Sequence, residues 1–405
     1  MKNKPRQLLI PFLFIFFLST VLIPALSQGK NLEITHGPYL QNLSSEEVTI
    51  IWFTNKKSVS SVEYSTGENF NTFPQWGGLL QTAQSSRHGL IDANSERHII
   101  QLRELTAGKT YRYRVISKEI LQFEPYEVIY GNTVVSNINE FITFDPDKDQ
   151  FSFQAVQDIH DDSERLDSLL QSISWDQVDM VFFNGDTLSH LNEENDIFSG
   201  FLDVSVKRFA SRIPFFFIRG NHETRGSFAR ELIDYFPPRD SRYYYTFKHG
   251  PVFFIILDSG EDKPDDSPVY AGLADFDLYR EEQAKWLQEV ILREDFKNAA
   301  FRVAFFHIPP FSKIYSSQEI TRLWVPWLNK GKVDLAICGH LHRRVKQDPE
   351  SGKNDFAYIV GSREDSFRID VKPDHLKVNI LNLKGETIDT FLLPTKKAEV
   401  PETPQ

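Results

Sequence analysis

After about residue 150, five apolar segments of this chain each run straight into a loop of acidic, amide or imidazole side chains. Phe153-Gln154-Ala155-Val156-Gln157 ends in Asp158-Ile159-His160, and Met180-Val181-Phe182-Phe183 ends in Asn184-Gly185-Asp186. Pro214-Phe215-Phe216-Phe217-Ile218 ends in Arg219-Gly220-Asn221-His222-Glu223. Val303-Ala304-Phe305-Phe306 ends in His307, and Leu335-Ala336-Ile337 ends in Cys338-Gly339-His340-Leu341-His342. Short runs this apolar read as strands buried on both faces, and helical patterns separate them, most clearly at 163–173 and 280–292. The alternation predicts an α/β layered domain. In open α/β sheets ligands collect beyond the carboxyl ends of the strands, so each loop delivers its side chains to one crevice.

The residue types in that crevice suit two cations. Carboxylates bridge and neutralise metal ions, imidazoles suit Fe, Mn and Zn, and an amide oxygen completes a hard position. Glycine beside Asp186, Asn221 and His340 lets the backbone turn sharply and approach closely. Each piece alone is weak. Asp-x-His is common, Gly-Asp and Gly-Asn-His more often mark turns, and Gly-His-x-His is only moderately specific. All five in this order, each closing an apolar strand, make chance a poor explanation.

The chain before this region reads differently. Val48 to Phe53, Val59 to Tyr64 and His98 to Leu102 are rich in β-branched and aromatic residues. In the segment Leu105 to Val115, Tyr111, Tyr113 and Val115 alternate with Arg112 and Arg114, the period of a half-buried strand. Strands without an intervening helix predict a β-sandwich over 32–145. The polar, turn-prone Asp145-Pro146-Asp147-Lys148-Asp149 predicts a boundary before a catalytic domain over 150–395. Residues 396–405, polar with two prolines, predict a disordered tail.

The N-terminus predicts export. Lys2, Lys4 and Arg6 precede an apolar run from Leu8 to Ile23, then Pro24 and Ala25-Leu26-Ser27, the pattern of a signal peptide over 1–27. The protein is thus expected to be secreted or periplasmic. An uncleaved anchor is the rival, because the run approaches the ~18 residues that span a bilayer. Only in that case is a membrane a partner. Losing three basic residues with the signal moves the formal charge from −11 to −14, which disfavours nucleic acid as a bulk partner. Cys338 is the sole cysteine, so no intrachain disulfide forms, and its place at the end of an apolar run predicts a buried, inert thiol.

Taken together, Asp158-x-His160, Gly185-Asp186, Gly220-Asn221-His222-Glu223, His307 and Gly339-His340-x-His342 resemble the calcineurin-like metallophosphoesterase superfamily. The resemblance covers roughly 160 to 370. Gly37-Pro38-Tyr39-Leu40-Gln41, the strand holding Trp52, the 105–115 segment and Gln283-Ala284-Lys285-Trp286-Leu287 are similar to purple acid phosphatases, whose catalytic domain follows a fibronectin-III-like domain. The resemblance implies an all-β sandwich followed by a four-layer α/β domain, two sheets flanked by helices. It implies Asp158, His160, Asp186 and His342 on one metal ion, with Asp186 bridging to a second held by Asn221, His307 and His340. It leaves His222 facing substrate. Two positions depart from the pattern. Purple acid phosphatases carry a tyrosine where this chain has Ser189, and His160 supplies a ligand those enzymes lack, so no purple tyrosinate-bound iron is expected. The serine/threonine phosphatase branch has an aspartate there that orients the catalytic histidine, so what steadies His222 is open.

The expected activity is hydrolysis of small phosphorylated substrates, as a phosphomonoesterase, by in-line attack of metal-bound hydroxide with His222 as acid or electrostatic partner. A phosphodiesterase of the same fold is the alternative, with segments 263–277 and 312–327 as the discriminating loops. An inactive surface-binding protein is the alternative from another class. His36, His88, His98, His249 and His375 lie outside the motifs and read as surface or packing positions. His190 is a possible pocket residue, and Arg225 either meets substrate phosphate or forms a loop salt bridge.

Overall fold

The computed structural model describes residues 30–66, 80–238 and 241–395. The expected signal at 1–27 and the tail at 396–405 lie outside the described residues. The strand Val48–Thr66 organises the N-terminal part. Its first half pairs with Ile34–Gln41 and Ser95–Leu102, and its second half with Gln81–Ala83 and Thr110–Glu124. The two strands expected at 48–53 and 59–64 are therefore one, irregular between Phe53 and Ser58 where the partner changes. Thr110–Glu124 pairs onward with Glu127–Val135 and Asn139–Ile142. Inward-facing Trp52 from the first half and Val62 from the second share a core with Ile100, Tyr113 and Val115. The indole N–H of Trp52 donates to Ser117 Oγ at 2.9 Å, which satisfies its polar edge in that core.

Two six-stranded sheets follow. One runs in the order Phe215–Ile218, Met180–Asn184, Phe151–Val156, Asp365–Val371, His375–Asn382 and Thr387–Pro394. The other runs Tyr245–His249, Val252–Ile256, Phe301–Phe305, Leu335–Cys338, Ala357–Val360 and Val345–Gln347. Alternation along the strands explains the layering. Phe153, Phe182 and Phe216 face Phe254, Phe305 and Ile337 of the other sheet. Their neighbours Val181, Phe183, Phe215 and Phe217 face outward onto Leu166, Leu169 and Leu170 of the helix Ser163–Gln171 and onto Phe201 and Phe209. On the far side Phe253, Ile255, Ala304 and Ala336 meet Ala284 and Leu287 of the helix Phe276–Val290, with Trp324 and Leu328. The result is helix, sheet, sheet, helix. Cys338 is buried in this last layer, as expected of an inert thiol.

Helical turns between residues 195 and 210, two of them π-helical, have no counterpart in the sequence reading. The segment expected to be a pocket loop at 312–327 is instead mostly helical, as Tyr315–Leu323 and Val325–Lys330. No helix among the described residues is long and apolar enough to cross a membrane. The described residues from Leu32 onward pack as one compact unit. Tyr39 Oη donates to Tyr235 O at 2.7 Å, Tyr113 Oη to Ser211 O at 2.7 Å and Gln41 Nε2 to Phe215 O at 3.1 Å. The β-rich part thus braces the edge of the first α/β sheet.

Candidate metal centre

All seven residues that the sequence singles out as ligands converge at the carboxyl ends of five strands. Asp158 and His160 follow Phe151–Val156, Asp186 follows Met180–Asn184, and Asn221 follows Phe215–Ile218. His307 follows Phe301–Phe305, and His340 with His342 follows Leu335–Cys338. Asp158, His160, Asp186, His340 and His342 adopt positive φ between 50° and 73°. Non-glycine residues rarely take that conformation, and here it turns each side chain abruptly off its strand end. Gly220 could carry no side chain, since a Cβ there would collide with the carboxylate and backbone N of Asp186.

The donor atoms form two groups that share Asp186. Asp158, His160, Asp186 and His342 offer one atom each within 4.8 Å of one another, and so do Asp186, His307 and His340. His160 Nε2 and His342 Nε2 lie 2.9 Å apart, with Asp158 Oδ1 3.5 Å from His342 Nε2. Asn221 Oδ1 and His340 Nδ1 are also 2.9 Å apart, which adds the amide oxygen to the second group. Neighbouring ligands of a cation held at ~2.1 Å sit about 3.0 to 3.4 Å from each other, so these spacings suit coordination.

The tautomers suit it too. His307 Nδ1 donates to Asn184 O at 2.9 Å, which directs Nε2 at the carboxylates. That Nε2 lies 3.0 Å from Asp186 Oδ2 yet is buried off the line a hydrogen bond requires. An orphaned, buried nitrogen beside a carboxylate is what a shared cation would satisfy. Electrostatics agree. Burial raises the Asp158 carboxyl to about 7, against the pull of His307. Burial also opposes charge on His307, but the Asp186 and Asp158 carboxylates overcome it and lift the imidazole to about 10. Burial works against the Asp186 carboxylate as well, and His307 and His222 outweigh it, so Asp186 sits well below the usual carboxylate range. A buried cluster of acids is demanding positive charge at this point. Burial lowers His160 to about 3 and His340 to about 4, and lowers His342 too, which keeps their lone pairs free at neutral pH.

His222 stands at the rim. Its backbone N–H donates to Asp186 Oδ1 at 3.0 Å, and its Nδ1 donates to the backbone carbonyl of Ser189 at 2.8 Å. The carbonyl thus supplies the anchor that no side chain at Ser189 provides. Its Nε2 accepts from Arg225 Nη1 at 3.1 Å. Arg225 itself pairs with Glu261 through two 2.9 Å contacts, so it is a loop salt bridge that also touches His222. His190 is exposed.

The sequence reading passed over two supporting residues. Glu223 is fully buried, and its carboxylate accepts from the backbone N–H groups of Asp186, Leu188 and Gly220 at 2.8 to 2.9 Å. It clamps two ligand loops together, and burial raises its carboxyl to about 7. Its place directly after Asn221-His222 was the one available signal. Gln157, next to Asp158, donates to the carbonyls of Ser362 and Asp365, both at 3.0 Å.

Residues 156–344 match the family model described as calcineurin-like phosphoesterase. Among solved structures, a purple acid phosphatase from yellow lupin (Lupinus luteus) seeds aligns with a TM-score of 0.65 at 14% identity, over 88% of this chain and 74% of its own. A conserved uncharacterized protein of Streptococcus pneumoniae, described as a predicted phosphoesterase, aligns over 60% of this chain and 98% of its own at 14% identity, with a TM-score of 0.30. None of the curated proteins matches the sequence. The chain carries a calcineurin-like phosphoesterase domain over residues 156–344, behind a β-rich N-terminal part, in a fold like that of purple acid phosphatases.

Proposed function

We propose that this protein is a dinuclear-metal phosphomonoesterase. The observation that carries the reading is the pair of donor groups joined at Asp186, with His222 held beside them. Asp158, His160, Asp186 and His342 would hold one ion, and Asp186, Asn221, His307 and His340 the other. Fe, Mn and Zn all suit this donor set. When bound, two such ions neutralise phosphoryl charge and make water a nucleophile at moderate pH.

The chain's own residues do the rest. Glu223 and the backbone N–H of His222 hold the Asp186 carboxylate and its loop in one position. Ser189 O pins the Nδ1 edge of His222, so its Nε2 edge is turned to the crevice, where it meets the departing oxygen of the ester. In the neutral ring that edge accepts from Arg225 Nη1, so His222 donates a proton only as the imidazolium, with the Arg225 contact released. The β-rich residues 32–145 serve as a fibronectin-III-like brace, and the N-terminal segment supports export to a secreted or periplasmic location. Metal-depleted and metal-restored protein assayed on a panel of phosphomonoesters and phosphodiesters tests the proposal. Restoration of monoester hydrolysis supports it. Restored activity on diesters alone replaces it with the phosphodiesterase reading, and no activity with any metal overturns it.

A further inference from the structure

A guanidinium with no hydrogen bond or ion pair among the described residues sits beside the crevice. Arg363 belongs to the loop 361–364, between the strands Ala357–Val360 and Asp365–Val371. That strand runs parallel to Leu335–Cys338 with Val360 beside Cys338, so the loop lies alongside the one that carries His340 and His342. Gly361 N donates to Cys338 O at 3.0 Å, which holds the two loops together.

The loop backbone is rigidly held. Gln157 Nε2 ties the carbonyls of Ser362 and Asp365, both at 3.0 Å. Asp365 in turn accepts from Ser362 N and Ser362 Oγ at 2.8 Å and pairs with Arg344 at 3.1 Å. The side chain of Arg363 is the part left uncommitted. Among the described residues it has no hydrogen bond or ion pair, and its Nε is buried without a partner. Nearby guanidiniums differ: Arg165 faces Asp162, Arg225 faces Glu261 and Arg344 faces Asp365. The chain has 56 acidic residues, so the vacancy is not a shortage of acids. Arg363 lies close enough to Asp158, His160 and His342 to act on all three electrostatically.

We propose that Arg363 binds the phosphoryl oxygens of a phosphomonoester dianion and gives the site its preference for monoesters over diesters. The inference rests on the phosphoester hydrolase reading above. A monoester presents three terminal oxygens and nearly two charges, whereas a diester presents two oxygens and one charge. A guanidinium fork matches a pair of such oxygens and is always charged. An oxygen that a diester spends on its second alcohol is the one Arg363 would reach.

The test uses full-chain, metal-loaded wild type with R363M and R363K. It compares p-nitrophenyl phosphate with bis-p-nitrophenyl phosphate, and measures binding of inorganic phosphate by calorimetry and metal content by elemental analysis. R363M should lose about 10–100-fold in kcat/KM on the monoester and in phosphate affinity, with the diester changed less than about threefold and metal retained. R363K should fall between, because it keeps the charge and loses the fork. Equal losses on both esters, unchanged phosphate affinity, or loss of metal would overturn the proposal. Inactivity of wild type on both esters counts against the hydrolase reading alone, since phosphate binding still reports on Arg363.

Discussion

Replacing His222 by Ala separates chemistry from metal binding. The substitution removes an imidazole whose side chain is 28% exposed, together with its hydrogen bond to Ser189 O and its contact with Arg225. The backbone N–H that holds Asp186 Oδ1 survives, and so do the three backbone bonds that Glu223 makes. Arg225 keeps its two contacts with Glu261. Two lost hydrogen bonds of a part-exposed group cost about 1–3 kcal/mol together, too little to unfold a domain with this core. Metal content should therefore stay near wild type. Loss of a positioned proton donor lowers rate ~10²–10⁴-fold, which at about 1.36 kcal/mol per decade is roughly 2.7–5.4 kcal/mol of barrier. An alkyl phosphate, whose alkoxide leaves only with a proton, should show the full loss. A nitrophenyl phosphate should lose much less. The assay pairs kcat on both esters with metal stoichiometry. Equal losses on the two esters would refute proton donation and leave an electrostatic role, and lost metal would refute the separation itself.

Three further outcomes are expected. Asp186→Ala should strip both ions and reduce activity to that of metal-depleted protein, because both donor groups use that carboxylate; a variant that retains one tight ion by elemental analysis would show that Asp186 is not shared. Ser189→Ala should leave kcat within about threefold of wild type, since the backbone carbonyl and not the hydroxyl anchors His222; a His222-like loss would sink that account. His249 is packed 4.1 and 4.4 Å from the rings of Phe144 and Phe151 with neither nitrogen hydrogen-bonded among the described residues, and burial lowers it from 6.5 to about 3. The unfolded chain takes up this proton below pH 6.5 and the native one does not, so stability is lost as pH falls through that window, by about 2 kcal/mol at pH 5. His249→Phe should flatten the dependence, and parallel denaturation curves for the two proteins at pH 7 and 5 would contradict it.

Much of the site was legible because its chemistry is local. Carboxylate, imidazole and amide side chains are recognisable metal donors, and placing one at a strand end needs only an apolar run that stops where the loop begins. That is why Asp158, His160, Asp186, His307, His340 and His342 could be named from sequence and then stood together, with Asn221 beside His340. Helices with a clear apolar stripe were equally legible, as at Ser163–Gln171 and Phe276–Val290. The π-helical turns at Phe198–Leu202 and Val206–Ala210 were not, because widened turns break the 3.6-residue period on which such reading depends.

What the sequence by itself determined was the strand character of each Phe-rich run, the order of the ligand loops and the break in style near residue 145. Those depend on residue type and spacing along the chain. Only the tertiary structure decided the supports. Glu223 could have been a surface acid, but parallel pairing of Val181–Asn184 with Phe215–Ile218 sets its carboxylate under three backbone N–H groups. Ser189 looked like a missing anchor, and the anchor is a carbonyl, a group every residue has and no sequence distinguishes. Arg225 and Arg363 are both arginines in strand-end loops, yet folding gives one a glutamate and leaves the other without a hydrogen bond or ion pair among the described residues. A counterion is a matter of distance across the fold, and distance is what a linear sequence does not contain.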